Sequence, residues 1–213
     1  MKPYIILNCA ASVDGKIALP NRQKLKLSNE EDFSRVHALR SECDAIIVGI
    51  DTIIQDDPKL TINQKYSRGE NPLRIILDTN YRTPENAQIL DNKSKTLIAI
   101  GEKTPVKNLE NVEIIRCGKE EINLEKLMLN LVERGVEKVM VEGGETVLWS
   151  FLENELFDEL NIFISSVIIG GKGTPTVAGG KGYINEKSTL KLKLKNIDII
   201  GNGVLLQYSK SKN

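Results

Sequence analysis

Short apolar runs rich in Ile, Val and Leu recur along this chain and alternate with amphipathic or polar stretches. Tyr4 to Cys9, Ala45 to Val48, Leu73 to Leu77, Thr96 to Ile100, Val112 to Ile115 and Glu137 to Val141 read as strands. Aliphatic and β-branched residues without regular polar interruption suit strands covered on both faces. Three further strands are predicted near Glu159 to Ser165, at Thr189 to Ile197 and at Val204 to Ser209. The clearest helix is Asn123 to Arg134. There Leu124, Leu127, Met128, Leu131 and Val132 fall at i, i+3, i+4, i+7 and i+8, and Gly135 occupies the C′ position. Ser28-Asn29-Glu30-Glu31 reads as a capping box in which Ser28 accepts from the Glu31 N–H, predicting a helix to about Ser41. Thr52 to Gln55 predicts one helical turn, stopped ahead of Pro58. Ser12 to Leu27 reads as a loop with Asp14-Gly15 as its turn, and Gly170 to Gly173 with Gly179 to Gly182 bracket another long loop. Strands alternating with helices predict an α/β fold: a mixed, mostly parallel sheet with helices on both faces. The last strands lack helices between them, so that edge is expected to be antiparallel. No repeat or linker interrupts the pattern, and residues 1–213 read as a single domain.

Composition narrows the function classes. A chain of 213 residues with 40% hydrophobic and 27% charged residues has the make-up of a soluble globule. Lys+Arg 29 balances Asp+Glu 29, so the basic footprint of a generic nucleic-acid binder is absent. Cys9, Cys43 and Cys117 form no Cys-x-x-Cys pair and His37 is the only histidine, which argues against a structural zinc site or a disulfide framework. These features fit a reducing, cytoplasmic location. Near the start, Asn8 ends the run Tyr4 to Leu7 and Asp14 and Lys16 follow, so a buried strand is expected there rather than a signal segment or a membrane span.

The most informative local feature is a strand, a glycine pair and a helix: Glu137 to Val141, Glu142-Gly143-Gly144-Glu145-Thr146, then Val147 to Leu152. A turn without Cβ atoms admits a ligand close to the backbone, and the N–H groups at the start of a helix favour an anion such as phosphate. Plain α/β connections use the same turn equally often. The glycine-rich loop is not a phosphate-binding P-loop, since Ser166 and Pro175 stand where its first glycine is required; a dinucleotide-binding G-x-G-x-x-G is also absent. Ser12-Val13-Asp14-Gly15-Lys16 puts a hydroxyl, a carboxylate and an ammonium on the loop after the first strand, where α/β proteins build sites, although a solvated turn needs the same residues. Asp56-Asp57-Pro58 admits either ligand binding or turn capping. On the capped helix Phe33, Val36, His37 and Arg40 share one face. An arginine on such a core-facing stripe requires an anionic partner, from the protein or from a phosphate. His37 reads as a packing residue.

Together these segments resemble the riboflavin-pathway reductase family. The resemblance rests on Ser12 to Lys16, Val36 to Arg40, Gly49 to Thr52, Asp56 to Thr61, Pro72 to Ile75, Asp78-Thr79 and Glu142 to Gly144, in order over nearly the whole chain. The pattern is closest to the family's stand-alone archaeal and fungal type. Bacterial relatives fuse this module to a zinc deaminase with a His-x-Glu and Pro-Cys-x-x-Cys signature, which this sequence lacks. The resemblance implies a dihydrofolate-reductase-like fold, a homodimer and hydride transfer from NADPH, with NADH as the other option. The expected substrate is 2,5-diamino-6-ribosylamino-4(3H)-pyrimidinone 5′-phosphate, reduced at the sugar C1 to its ribitylamino form.

The resemblance also implies residue roles. Ala11, Thr52, Asp56, Thr79, Gly143, Gly144, Glu145 and Thr146 match cofactor-binding positions. Lys24, Arg40, Leu60 and Glu142 match substrate-binding positions, with Arg40 as the phosphate or sugar clamp; Lys26 lies in the same loop as Lys24. By their chemistry and location, and not by the resemblance, Asp14, Lys16 and Glu142 are the candidate proton-handling residues. Glu145 stands where relatives often carry a small residue, and Asn63 where they often carry a basic one. Arg82 is the one basic residue suggested for a 2′-phosphate. Two other functions stay open: a reductase of a pteridine such as dihydrofolate, and a non-catalytic NADPH-binding dimer. No nucleic-acid or membrane partner is expected.

Overall fold

The computed structural model describes residues 2–23, 25–107 and 109–211. Along the chain the elements are β1 (Tyr4–Ser12), α1 (Glu30–Ser41), β2 (Ala45–Gly49), α2 (Ile50–Asp56), β3 (Leu73–Leu77), β4 (Thr96–Ile100), β5 (Val112–Arg116), α3 (Leu124–Glu133), β6 (Lys138–Val141), α4 (Glu145–Glu153), β7 (Glu159–Ser165), β8 (Leu192–Ile200) and β9 (Gly203–Lys210). Single 3₁₀ turns lie at Gln88–Leu90 and Glu186–Ser188. The residues gather into two compact units, each built from separate stretches of chain: Met1–Tyr4 with His37–Met140, and Ile5–Val36 with Val141–Asn213.

In the first unit the strand order is β5-β4-β3-β2-β6, and β2, β3, β4 and β5 pair parallel. Ile46, Ile47, Ile75, Ile76, Leu97 and Ile98 are fully buried, as expected of parallel strands covered on both faces. The stripe predicted on α3 is buried at Leu124, Leu127, Met128 and Leu131. Asn123 caps this helix by accepting the Lys126 N–H at 2.8 Å, and Gly135 takes φ +79 just beyond its end. Arg74, the second residue of β3, is wholly buried. Its Nε donates to Thr96 Oγ1 (3.1 Å), Nη1 to Asp91 Oδ1 (2.7 Å) and the Lys59 carbonyl (3.3 Å), and Nη2 to the carbonyls of Asp91 and Ser94 (both 2.6 Å). All of its donors are used, which offsets the cost of burying the charge.

In the second unit the order is β1-β7-β9-β8; β1 and β7 are parallel, while β7–β9 and β9–β8 are antiparallel. The expected α/β class, mostly parallel with an antiparallel C-terminal edge, is therefore observed. The β8–β9 hairpin closes through Gly201 and Asn202, with Gly201 at φ +57. A register shift between Leu194 and Asn196 keeps Leu194, Ile197 and Ile199 opposite Tyr208, Leu206 and Val204. On β8 these three side chains are 46%, 55% and 83% exposed.

Three local expectations require correction. The α1 cap is Asn29, not Ser28: Asn29 Oδ1 accepts the Asp32 N–H at 2.8 Å while its Nδ2 donates to the Ile200 carbonyl at 2.7 Å. An amide can both cap the helix and hold the hairpin, which a hydroxyl in that place would do less completely. On the same helix Phe33 is 38% exposed, so the face it shares with His37 is not core along its length. β8 starts at Leu192 rather than Thr189, because Asn185 accepts the Ser188 N–H at 3.0 Å and caps a 3₁₀ turn ahead of the strand.

Candidate active site

In the second unit, β1 delivers the buried Ala11 and Ser12 to the loop expected to carry chemistry. Ser12 Oγ donates to Asp14 Oδ1 (2.7 Å) and accepts the Lys16 N–H (2.9 Å). Gly15, at φ +74, returns its N–H to the Ser12 carbonyl and closes the turn. Asp14 also accepts the N–H groups of Ile169 (3.0 Å, Oδ1) and Gly170 (2.7 Å, Oδ2). The Ser12 hydroxyl first and then these backbone donors hold its carboxyl down at about 2, although it is exposed. These contacts make Asp14 an anchor between two loops. Lys16 bridges Thr176 in the glycine-rich loop, with the Ile17 N–H on the Pro175 carbonyl at 3.0 Å.

The glycine pair sits where the sequence places it. Gly143 takes φ +99, a Cβ on it would stand 3.4 Å from Leu148 Cδ1, and the Gly143–Gly144 peptide is cis. Gly144 is the N-cap of α4 with no side chain capping the first turn. Such a helix start, with backbone N–H groups and no capping oxygen, fits a phosphate. Thr146 lies in that first turn. Glu145 turns away from it: Oε1 accepts from Arg22 Nη2 at 3.1 Å and Oε2 from the Thr176 N–H at 3.2 Å. Arg22, which the sequence pattern did not single out, therefore answers the misplaced charge. Glu142 follows directly on β6 and is half-buried. Lys24 lies outside the described residues.

In the first unit, β2 runs straight into α2, which carries Thr52 and Asp56, both half-buried. Asp57 is at φ +41 just past α2, and its Oδ1 accepts the Gln88 N–H at 2.7 Å, so of the adjacent carboxylates this one braces the loop. Leu60 is at φ +50 and 4% exposed. Arg40 Nη1, on α1, donates to the carbonyl of Thr61, the residue after Leu60, at 3.2 Å, which brings two positions matched to substrate binding near one another. His37 packs as expected: its ring stacks on Tyr66 at 5.5 Å and Nδ1 accepts the Asn63 N–H at 3.1 Å. At the end of β3, Asp78 is fully buried; its Oδ2 accepts both the N–H and the hydroxyl of Thr83, at 2.8 and 2.7 Å. That closes the loop bearing Thr79, whose carbonyl accepts from Thr104 Oγ1 at 2.7 Å. Arg82 is paired to Asp51 at 2.8 Å. A shallow depression lined by Gly69, Asn71, Lys93 and Lys95 lies at the other ends of β3 and β4, away from the C-terminal ends where α/β folds bind ligands.

The three cysteines are buried and unpaired by disulfide, and burial pushes the Cys9 thiol up to about 12, which leaves no thiolate nucleophile there. No helix among the described residues is long and apolar enough to cross a membrane.

Comparison with known proteins identifies the family. Residues 3–206 match the model of the RibD C-terminal domain. The 2,5-diamino-6-ribosylamino-4(3H)-pyrimidinone 5′-phosphate reductase of Methanothermobacter thermautotrophicus is 36% identical over 214 residues, covering 98% of this chain and 99% of that one. The crystal structure of a diaminohydroxyphosphoribosylaminopyrimidine deaminase/5-amino-6-(5-phosphoribosylamino)uracil reductase from Thermotoga maritima superposes with a TM-score of 0.82 at 26% identity. It is matched over 99% of this chain, which spans 57% of that longer one. A dihydrofolate reductase from Enterococcus faecalis shares the fold, with a TM-score of 0.55 at 11% identity over 98% of this chain and 97% of that one. With its fold, its glycine-pair turn and a family match over almost its entire length, the chain belongs to the RibD C-terminal domain family.

Proposed function

We propose that this chain is the NADPH-dependent reductase of 2,5-diamino-6-ribosylamino-4(3H)-pyrimidinone 5′-phosphate in riboflavin biosynthesis. The carrying observation is the end-to-end match to a reductase of that name, 36% identical over 214 residues. In this proposal the uncapped start of α4 receives a cofactor phosphate, with Gly143, Gly144, the Glu145 N–H and Thr146 around it; cofactor-binding roles are likewise proposed for Ala11 and, in the other unit, for Thr52, Asp56 and Thr79. Arg40 clamps the substrate phosphate or sugar, and substrate-binding roles are likewise proposed for Leu60, Glu142 and Lys24. Breaking the C1–ring-oxygen bond of the sugar, with the nitrogen giving up its proton and the ring oxygen gaining one, gives an imine at C1; hydride then adds to that carbon and a proton to the nitrogen. The bound cofactor supplies the hydride. The protein orients the imine and manages the proton, for which Asp14, Lys16 and Glu142 are the candidates, Asp14 also anchoring the loop that carries Lys16.

The whole chain, residues 1–213, acts as one reductase domain, working as a homodimer in the cytoplasm. The exposed apolar row Leu194, Ile197 and Ile199 on β8, continued by β9, supports self-association. NADPH oxidation followed by absorbance tests the function, with the ribosylaminopyrimidine phosphate, its deaminated form and dihydrofolate in parallel. Oxidation with a ribosylaminopyrimidine, giving a ribitylamino product by mass, is expected. Oxidation with dihydrofolate alone would point to a pteridine reductase, and tight NADPH binding without any turnover to a binding protein.

A further inference from the structure

Glu145 opens α4 directly after the glycine pair, where a bare carboxylate would repel a phosphate. Neither of its oxygens is bare. Oε1 receives Arg22 at 3.1 Å, and Oε2 receives the Thr176 N–H at 3.2 Å. Its own carbonyl accepts the Gly179 N–H, also at 3.2 Å. The chain passes so close that a Cβ at Gly179 would lie 2.9 Å from Glu145 Cγ, and one at Gly180 only 2.1 Å from Trp149 Cδ1, one helical turn further on. Arg22 is held for this contact in a turn at φ +63, its N–H on the Leu19 carbonyl at 2.8 Å. The left-handed region is uncommon for a residue other than glycine. The side chains of Arg22 and Glu145 are 55% and 21% exposed, and an ion pair that open contributes little stability. Its consequence lies instead in local charge and in the seating of the glycine-rich loop.

We propose that Glu145 is a positioning residue, a charge-balanced latch that fastens residues 176–180 to the first turn of α4 while Arg22 cancels its charge beside the glycine pair. This accounts for a carboxylate at a phosphate-binding helix start: the coenzyme meets a neutral pair. The part concerning the coenzyme rests on the proposed reductase function; the latch does not.

Two readouts on Glu145→Ala, Glu145→Gln and Arg22→Ala test it. The first is limited trypsin digestion of the full chain, timing cleavage after the exposed Lys172 and Lys181 by mass. Glu145→Ala is expected to speed both cuts about 5-fold or more, because loop opening is made easier. The second is NADPH affinity by calorimetry, with KM and kcat for the reduction. Arg22→Ala, which leaves the carboxylate uncancelled, is expected to weaken NADPH about 3- to 10-fold, and Glu145→Gln, which leaves the arginine uncancelled, to tighten it by a smaller factor. Glu145→Ala is expected to raise KM for NADPH and leave kcat within about twofold. Cleavage at the wild-type rate in Glu145→Ala would overturn the latch, and Arg22→Ala and Glu145→Gln weakening NADPH equally would overturn the charge balance. Wild-type protein that binds no NADPH would instead sink the reductase function, and the cleavage rates would still judge the latch.

Discussion

Asp14 holds Gly170 through a carboxylate–amide hydrogen bond of 2.7 Å, joining the loop after β1 to the glycine-rich loop after β7. With Ser12 and Ile169 it keeps the Asp14 carboxyl at about 2, below its ordinary 3.8. A group whose pKa is lowered by folding adds stability above the unfolded value and loses it as pH falls through the folded one. The link is therefore expected to be complete above about pH 4 and to fail between there and pH 2. An NMR titration of the Asp14 side-chain carbon is expected to show a midpoint near 2, and one near 3.8 would refute the anchor. In Asp14→Asn the Gly170 amide is expected to exchange faster with solvent at neutral pH, and to lose that difference from wild type in acid.

Arg74 belongs to one of the segments on which the family resemblance rests, yet its role is in the core. It is fully buried and every donor is committed, to Thr96, Asp91, Lys59 and Ser94. Arg74→Ala leaves the Asp91 carboxylate and three carbonyls without their donor and opens a cavity. The expected loss is roughly 3–5 kcal/mol in urea unfolding. Arg74→Lys is expected to recover only part of it, since an ammonium cannot present a planar fork. A loss below about 1 kcal/mol would show that the network contributes little.

Arg40→Ala separates the substrate role from the cofactor role. Removing a charge-assisted contact to a phosphate is expected to raise KM for the phosphorylated substrate about 10- to 100-fold, with NADPH affinity nearly unchanged. Equal losses for both ligands, measured by steady-state kinetics and calorimetry, would remove Arg40 from the substrate site.

The open face of β8 makes the dimer testable. Ile197 and Ile199 are 55% and 83% exposed beside Leu194. Ile197→Lys with Ile199→Lys is expected to convert a dimer to a monomer by light scattering while the fold survives, because both side chains already reach solvent in the single chain. An unchanged dimer mass would place the interface elsewhere.

Much of the fold was legible in the sequence because its signals are local. β3, β4 and β7 begin and end where their apolar runs do, and α3 follows its i, i+3, i+4 stripe between Asn123 and Gly135. The glycine-pair turn is equally local. The misses arise where distant parts of the chain decide. Asn29 rather than Ser28 caps α1 because the β8–β9 hairpin also needs its amide, 171 residues away. The late start of β8 follows from the Asn185 turn, which competes with an otherwise acceptable strand pattern. Nothing near Glu145 in sequence announces that Arg22, 123 residues earlier, answers it. The same holds for Asp14: its residue type suits acid–base work, and only its hydrogen bonds from Ser12, Ile169 and Gly170 show that it also anchors two loops.

Hydride transfer to the sugar carbon leaves an isotopic record in the product. The purified chain would be run with the ribosylaminopyrimidine phosphate and NADPH deuterated at the transferable C4 position, and the product examined by mass and NMR. One deuterium at C1 of the new ribityl chain is the expected result. A ribityl product without deuterium at that carbon, or label found in the pyrimidine ring, would contradict it.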